Sequence, residues 1–490
     1  MGQAKRNQLR DCPALGTTLT ATTCATDRNR EINCPGSCPH NPFNPEHYLT
    51  SYQVLEAAAV KNLSFMLYRD PDFKQLARIR NSVMAQETLR ANALHVWHIH
   101  GENRVAKWLA QGAFRSWKND DLVMALSLDT IRSVVLEVQC VIDNLTLLVR
   151  DLLRPDEPPF VMIDASTAAK ACRFDVYLTW VYAIPGGLHR LSGAAQVVPD
   201  FGTMSHYEAF EILLKHLGAP DTAREKWLLE MMPRLSEALS ATQIARTVRQ
   251  YEMSDIVLYE RACRFGGKEA LPDAHMFTDL IAKLQQHPLV NDDGHRDPGA
   301  IFQASLLTEP ASGTHPVESV GTLAIYPDSV IQLSSVGREN SAALLDFIKK
   351  LEPSCAIIKE TLNDLGKQQI QDMGYWDPAL VPPALLENVS KIELRSSLIP
   401  THGDENPLKS SFEGFSDIPI PVLDNRTPRD AATDPIMRPR LLELMKSQVH
   451  TVDQQRRSQG VDFDINPLLK ALGLVEIIQP PSPCGGGDLG

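Results

Sequence analysis

Val134-Val-Leu-Glu-Val-Gln-Cys-Val-Ile-Asp-Asn144 is the stretch on which the reading of the fold turns. Val134, Leu136, Val138, Cys140 and Ile142 alternate with Val135, Glu137, Gln139, Val141 and Asp143. A repeat of two with many β-branched side chains suits a strand, whose successive side chains leave on opposite faces. Asp143-Asn144 follows as a turn signal. Leu145–Leu153 and Phe160–Ile163 read as further strands, joined by the proline-rich loop Pro155–Pro159. Asp175–Ile184 and Leu188–Val198 flank Pro185-Gly186-Gly187 and read as two more. The expectation is a small antiparallel β-rich module over 131–203. A long amphipathic helix over 121–153 is the competing reading.

Around this module the pattern is helical. Tyr48–Tyr68 spaces Val54, Leu55, Val60, Leu63 and Leu67 roughly as a helix does, Asp70-Pro71 stops and restarts the chain, and Phe73–Leu94 reads as a second helix. Arg104–Phe114 and Asp121–Leu128 complete a helical region over 48–130. Helical patterning returns over 204–300, where Ser205 and Glu208 form a capping box and Gly218-Ala-Pro220 ends the first helix. Gln286–Pro316 is polar and rich in Pro and Gly, so it reads as a linker or long loop. From Val320 a hairpin around Tyr326-Pro-Asp-Ser329 precedes a helix at Asn340–Leu351, giving a hairpin-plus-helix module over 317–366. A C-terminal helical module over 367–479 contains Thr427-Pro428-Arg-Asp430, an N-cap with proline at the first helical position. Thr433-Asp-Pro435 repeats the device before a helix to about His450, and Phe463–Leu474 is a last short helix stopped by Gly473. The low-complexity end, 480–490, is expected to be disordered.

At 490 residues the chain predicts about three units, on a prior of roughly 150 residues each. Hydrophobic residues at 43% and charged ones at 22% are ordinary for a globular protein. The net charge of −12, from 48 basic and 60 acidic residues, argues against non-specific coating of nucleic acid. No apolar run reaches the length of a membrane span. Met1–Arg10 is polar and lacks the apolar core of a secretory signal, and Arg6 spoils a myristoylation motif at Gly2. The expected compartment is the cytoplasm. The fold class is α+β and multidomain: helical segments, small antiparallel β-rich modules and an N-terminal zinc knuckle.

That knuckle is read from the cysteines. Cys140, Cys172, Cys263, Cys355 and Cys484 are scattered singly and read as small buried hydrophobes. Cys12, Cys24, Cys34 and Cys38 cluster instead within the segment 1–47. In Cys34-Pro-Gly-Ser-Cys38 the spacing lets two thiolates of one tight turn reach a single tetrahedral ion. The residues between Cys12 and Cys24 hold too few apolar groups for a core, and metal binding supplies on the order of 10 kcal/mol in such cases. The reading is a structural zinc site at Cys12, Cys24, Cys34 and Cys38, with His40 or His47 as a substitute ligand in a variant. Disulfides or free thiols in a loose leader are the alternative. Four protein ligands leave no open position for a reacting water, so a catalytic zinc is disfavoured.

Met-Gly-Gln-Ala-Lys-Arg, then Cys-Pro-Ala-Leu-Gly, a lone Cys and Cys-Pro-Gly-Ser-Cys-Pro-His-Asn-Pro-Phe resemble a group of uncharacterised bacterial proteins. The cysteine-rich end is similar in style to the SEC-C type of zinc motif, although the CxCxSGxxxxxCC core of that motif is absent. The resemblance implies metal binding and names no partner. Leu423-Asp-Asn-Arg-Thr-Pro-Arg-Asp-Ala is faintly similar to the toxin-binding domain of Xre-type antitoxins, with Asp424-Asn425 in place of that family's glycines and no helix-turn-helix.

Other constellations read as structural. His95, His98 and His100 have only Glu102 nearby as a carboxylate ligand. Asn291–Asp297 lacks the terminal glutamate of a calcium loop, and Gly266-Gly267-Lys268 lacks the spacing of a phosphate loop. Asp164, Asp175 and Asp200 sit at strand ends, where turns and caps use carboxylates. With no complete catalytic signature, the chain reads as a non-enzymatic interaction or regulatory protein with a protein partner. A nucleic-acid-associated zinc protein, suggested by Lys5, Arg6, Arg10, Arg28 and Arg30, is the first alternative. An enzyme with an unrecognised site is the second.

Overall fold

The computed structural model describes residues 8–76, 95–99, 101–202, 204–264, 274–292, 294, 296–308, 319–387, 389–392, 412 and 414–483. Most of the expected Phe73–Leu94 helix, His100, the Gly266-Gly267-Lys268 segment, Lys5, Arg6, Cys484 and residues 484–490 lie outside them. The chain is α+β and divides into two compact units rather than three. The first comprises Met1–Ala241, Ala379–Leu385 and Asn406–Gly490, and the second Thr242–Pro378 with Leu386–Glu405.

The first unit begins with a hairpin, β1 (Leu9–Cys12) against β2 (Thr17–Thr20), followed by the short helix α1 (Ala21–Asp27), whose N-cap Thr20 accepts from the Thr23 amide. The helix α2 (Gln53–Leu67) buries Ala59, Leu63 and Leu67 on one face, as its helical spacing requires. After α3 (Pro71–Leu76) come the short ladder β3 (His98–Ile99) with β4 (Glu102–Asn103), then α4 (Arg104–Ala110) and α5 (Asn119–Leu128).

Next, β5 (Arg132–Val141), β6 (Thr146–Asp151), β7 (Phe160–Ile163), β8 (Val176–Ile184) and β9 (Leu188–Val197) close into a barrel in the order β5-β6-β7-β9-β8. The strand reading over 131–203 is therefore correct, and the helix over 121–153 is not: the helical part ends at Leu128. The module is not purely antiparallel, since β7 and β9 pair in parallel, Met162 beside His189. A short helix, α6 (Ala165–Ala168), capped by Asp164, bridges β7 and β8. With one parallel pair and a helix between its third and fourth strands, this is a five-stranded Greek-key barrel. Val134, Leu136 and Val138 point into the barrel core with Leu147, Val149 and Met162. Asp143 makes the β5–β6 turn by accepting from the amides of Leu145 and Thr146.

A second core lies outside the barrel wall, where Ile163, Tyr182 and Ile184 pack with Phe43, Tyr52, Leu63, Leu67 and Trp108. The hydroxyls of Tyr52 and Tyr182 meet at 2.8 Å, tying the residue ahead of α2 to β8. The capping box at Ser205 and Glu208 opens α7 (His206–His216) as expected. The long helix α8 (Arg224–Met253) follows; the sequence boundary between the units falls within it.

In the second unit, the expected hairpin, β13 (Ser319–Ile325) with β14 (Val330–Val336), belongs to a six-stranded sheet ordered β11-β12-β13-β14-β10-β15. β10 (Val257–Arg264) lies within the region read as helical. β11 (Val290–Asn291) and β12 (Phe302–Leu307) lie within the region read as a linker, and β15 (Ala356–Asp364) completes the sheet. The helices α9 (Ala274–Gln286) and α10 (Arg338–Leu351) contribute Leu280, Leu284, Leu344 and Ile348 to the core of that sheet. The module boundaries at 300 and 317 thus cut through one sheet. β10 and β12 each supply a strand second from an edge, and the hairpin alone would leave its apolar face bare.

The C-terminal helices return to the first unit: α11 (Pro428–Thr433), α12 (Arg438–Gln459) and α13 (Asn466–Ala471). Thr427 accepts from the Asp430 amide and Pro428 occupies the first turn, as the sequence predicts. Asp434 caps loosely, accepting from the amides of Ile436 and Met437, while α12 starts only at Arg438 and runs past His450 to Gln459.

Candidate functional site

The four cysteines of the N-terminal segment fall on three local structures. Cys12 ends β1, Cys24 sits in α1, and Cys34 and Cys38 bracket a turn closed by the Cys38 amide donating to the Pro35 carbonyl at 3.0 Å. All four are free thiols, three of them buried. They share one neighbourhood: the Cys34 thiol is pushed above its ordinary value by burial first, and also by the nearby Cys38, Cys24 and Cys12. Among the described residues, however, no three His, Cys, Asp or Glu side chains are disposed to hold one metal ion. The donor set has the softness zinc prefers. His47 is engaged elsewhere, its Nε2 3.0 Å from the Pro39 carbonyl oxygen.

The segment is not as short of anchors as its composition suggests. Phe43 is fully buried in the core outside the barrel wall. Arg28 donates from Nε to Asp120 Oδ1 at 2.8 Å and from Nη2 to the other carboxylate oxygen, while its Nη1 reaches the His40 carbonyl at 2.5 Å. Asn119 donates to the Arg28 carbonyl at 2.9 Å. Gly36 abuts the β8–β9 turn so closely that a Cβ on Gly186 would lie 3.2 Å from its Cα. Arg10 Nη1 approaches Cys24 Sγ at 3.9 Å.

Sequence reading missed a second feature, a cleft of about 240 Å³ where α12 lies against the barrel. Its polar lining comes from Glu137 on β5, Asp175 ahead of β8, Asp200, His206, and Glu443, Lys446, Ser447 and His450 on α12. Lys446 Nζ lies 2.8 Å from Glu137 and 3.3 Å from Glu443 and faces the Phe174 ring at 5.7 Å. His450 Nε2 lies 2.8 Å from Asp175, which also accepts from the Tyr177 hydroxyl and the Cys172 amide. Asp200 accepts from the Gly202 amide and from Ser447. Burial pushes the Glu443 carboxyl up and the His206 imidazole down. The carboxylates of Lys446's neighbours raise the lysine against the opposing effect of burial. The helical spacing of Glu443, Ser447 and His450 was visible in the sequence, but Ser447 and His450 find their partners, Asp200 and Asp175, 247 and 275 positions away.

The remaining candidates take structural roles. His95 stacks on Trp180 with 5.9 Å between ring centres, and His98 Nδ1 lies 2.6 Å from the Val96 carbonyl oxygen. Asp164 caps α6 and pairs with Arg190. Asp292 accepts from the Gly294 amide and pairs with Arg296, a turn in place of a calcium loop. No helix among the described residues is long and apolar enough to cross a membrane. Comparison with protein-family models, with curated proteins and with solved structures gave no match.

Proposed function

We propose that this chain is a non-catalytic interaction protein of a regulatory kind, its N-terminal segment held by a structural zinc ion at Cys12, Cys24, Cys34 and Cys38. The observation that carries the reading is the state of the cleft at α12. Its carboxylates are spent on partners within the protein: Glu137 and Glu443 on Lys446, Asp175 on His450, Asp200 on Ser447. A catalytic cleft holds perturbed groups aimed at a vacant reacting position; here the same residue types fasten a helix to a barrel. Four free thiols on one short segment, three of them buried, support the zinc. Elemental analysis of the purified chain tests the metal: about one zinc per chain is expected, lost in Cys34→Ser and Cys38→Ser. Metal-dependent turnover of a nucleic acid or small molecule, abolished by one change outside the cysteines, would overturn the non-catalytic reading.

The connectivity of the barrel favours a second reading, association with nucleic acid. In barrels of this kind the second and third strands, and the loops joining the first strand to the second and the fourth to the fifth, receive oligonucleotides or oligosaccharides, which here are β6, β7 and the turns at Asp143-Asn144 and Gly186-Gly187. Fold alone does not confer that function. Purified protein carrying excess absorbance at 260 nm that is lost with added salt supports it, and salt-independent absence of DNA and RNA binding removes it.

A further inference from the structure

We propose that Cys263 and Cys355 of the second unit form a reversible disulfide, a redox latch that fastens the edge strand β15 to β10. Among the described residues β15 pairs with β10 alone, at the end of the six-stranded sheet. Across that ladder Cys263 faces Ile357, and Cys355 precedes Ile357 by two positions. Side chains two apart on extended chain leave on the same face. That face is the apolar core under α9 and α10, to which both cysteines belong. The ladder also slips here: Ala262 pairs with Lys359 and Cys263 with Ile357, which leaves Ile358 as an extra residue. Such a bulge bends its strand and re-aims the side chains beside it. Both cysteines are buried free thiols, and the Cys355 thiol donates a hydrogen bond to the Cys263 sulfur. A single buried cysteine serves as a small apolar filler; two that meet can make a bond that neither makes alone.

The pair is polarised. The hydrogen bond from Cys355 is the main cause that lowers the Cys263 thiol below its ordinary value, helped by the charges of Arg261 and Lys349 and opposed by burial. The same bond, with burial, raises Cys355. Since the thiolate is the nucleophile, Cys263 is the attacking sulfur. With a hydroperoxide as oxidant, the Cys263 thiolate attacks one peroxide oxygen. An S–O bond forms, the O–O bond breaks, and the departing hydroxide takes up the proton that Cys263 released. The Cys355 sulfur then attacks the sulfenic sulfur: the S–S bond forms, the S–O bond breaks, and hydroxide leaves as water with the Cys355 proton. Two electrons pass from the thiols to the peroxide, and a dithiol reductant returns them. The route in is the sheet edge. Ile358 to Asn363 are exposed, and Cys355 follows the exposed Pro353 and Ser354. An edge strand with so little burial opens locally at a lower cost than the centre of a sheet.

The test treats the full-length wild-type chain with hydrogen peroxide, denatures it, blocks the remaining free thiols, digests it without reductant and maps the peptides by mass spectrometry. The expected result is a peptide pair linked through Cys263 and Cys355 that separates in dithiothreitol, while the buried Cys140 and Cys172 stay reduced. Amide exchange over Ala356–Asp364 should slow about tenfold in the oxidised chain, because the cross-link restricts the opened strand. Cys355→Ala should abolish the linked peptide and leave Cys263 as a sulfenic acid that dimedone captures. Oxidised wild type in which both thiols remain free overturns the latch. So does either sulfur carried to sulfinic acid without a linked peptide, a link from Cys263 to a different cysteine, or unchanged exchange in β15. The wild-type result stands whether or not Cys355→Ala folds.

Discussion

Arg173 and Asp453, 280 positions apart, form a two-pronged ion pair in which Nε and Nη2 each lie 2.7 Å from a carboxylate oxygen and neither side chain is exposed. The pair joins the turn ahead of β8 to the middle of α12. Further polar atoms of the pair are engaged: Arg173 Nη1 donates to the Gln479 carbonyl, and Asp453 accepts from the Ser482 hydroxyl at 2.6 Å. Burial pushes the Asp453 carboxyl up, but the hydrogen bonds and charge of Arg173 outweigh it and hold the group below its ordinary value.

Arg173→Leu should therefore destabilise the first unit by about 3–5 kcal/mol, because it strands a buried carboxylate. Urea unfolding at neutral pH measures it. The folded value of Asp453 lies below the unfolded one, so this contribution is present above about pH 4 and is lost as the pH falls through the folded value. The deficit of the variant should shrink in acid; a deficit that stays constant down to pH 2 would contradict the assignment.

Lys446→Met removes the shared partner of Glu137 and Glu443. Glu137 is buried and, among the described residues, keeps Gln139, whose Nε2 donates at 2.7 Å. A loss of about 3 kcal/mol is expected, and Glu137→Gln placed in the same variant should recover part of it. A double variant no more stable than Lys446→Met would show that the cleft is not held by this charge pairing.

His206 packs edge-on to Phe201 with 5.9 Å between ring centres, and burial holds its imidazole below the usual histidine value. A neutral histidine buried in the fold binds its proton more readily once unfolded. Its contribution is thus fully present above the unfolded value near pH 6.5 and fades as the pH falls toward the folded value. His206→Asn should flatten the loss of stability between pH 7.5 and pH 5 relative to wild type, in parallel chemical-denaturation curves. His95 and His189 are lowered by burial too, so the slope should diminish without vanishing.

Gly193 has φ of +85°, and a Cβ built there would lie 2.6 Å from Nδ1 of His95, whose ring stacks on Trp180. Gly193→Ala combines a left-handed backbone with a steric clash, and a loss of about 1–3 kcal/mol is expected. His95→Ala should relieve the steric part. Equal losses from Gly193→Ala in the presence and absence of the His95 ring would leave backbone conformation as the whole cause.

Much of the barrel was legible from local pattern. Alternation marked β5, the strands at Phe160–Ile163 and Leu188–Val197 fell where turn residues bounded them, and Ser205 and Thr427 announced their helices. β12 carries a period of two as well, with Phe302, Ala304 and Leu306 buried, while β10 buries Tyr259 and Cys263, four apart. A short alternating run among polar, Pro- and Gly-containing neighbours does not distinguish itself from a loop until a sheet receives it.

The amino-acid sequence by itself determined what depends on neighbours in the chain: strand periodicity, helix caps, the Asp143 turn and the gathering of four thiols into one short segment. Tertiary structure decided what depends on distant groups meeting: barrel closure with β7 beside β9, the recruitment of β10 and β12 into one sheet, and the burial of Glu137 and Arg173 beneath α12. The physical reason is that propensity and capping are set by interactions a few residues apart. A buried charge is tolerable only where its partner arrives from elsewhere, and no local signal marks which of 60 acidic residues that partner will be.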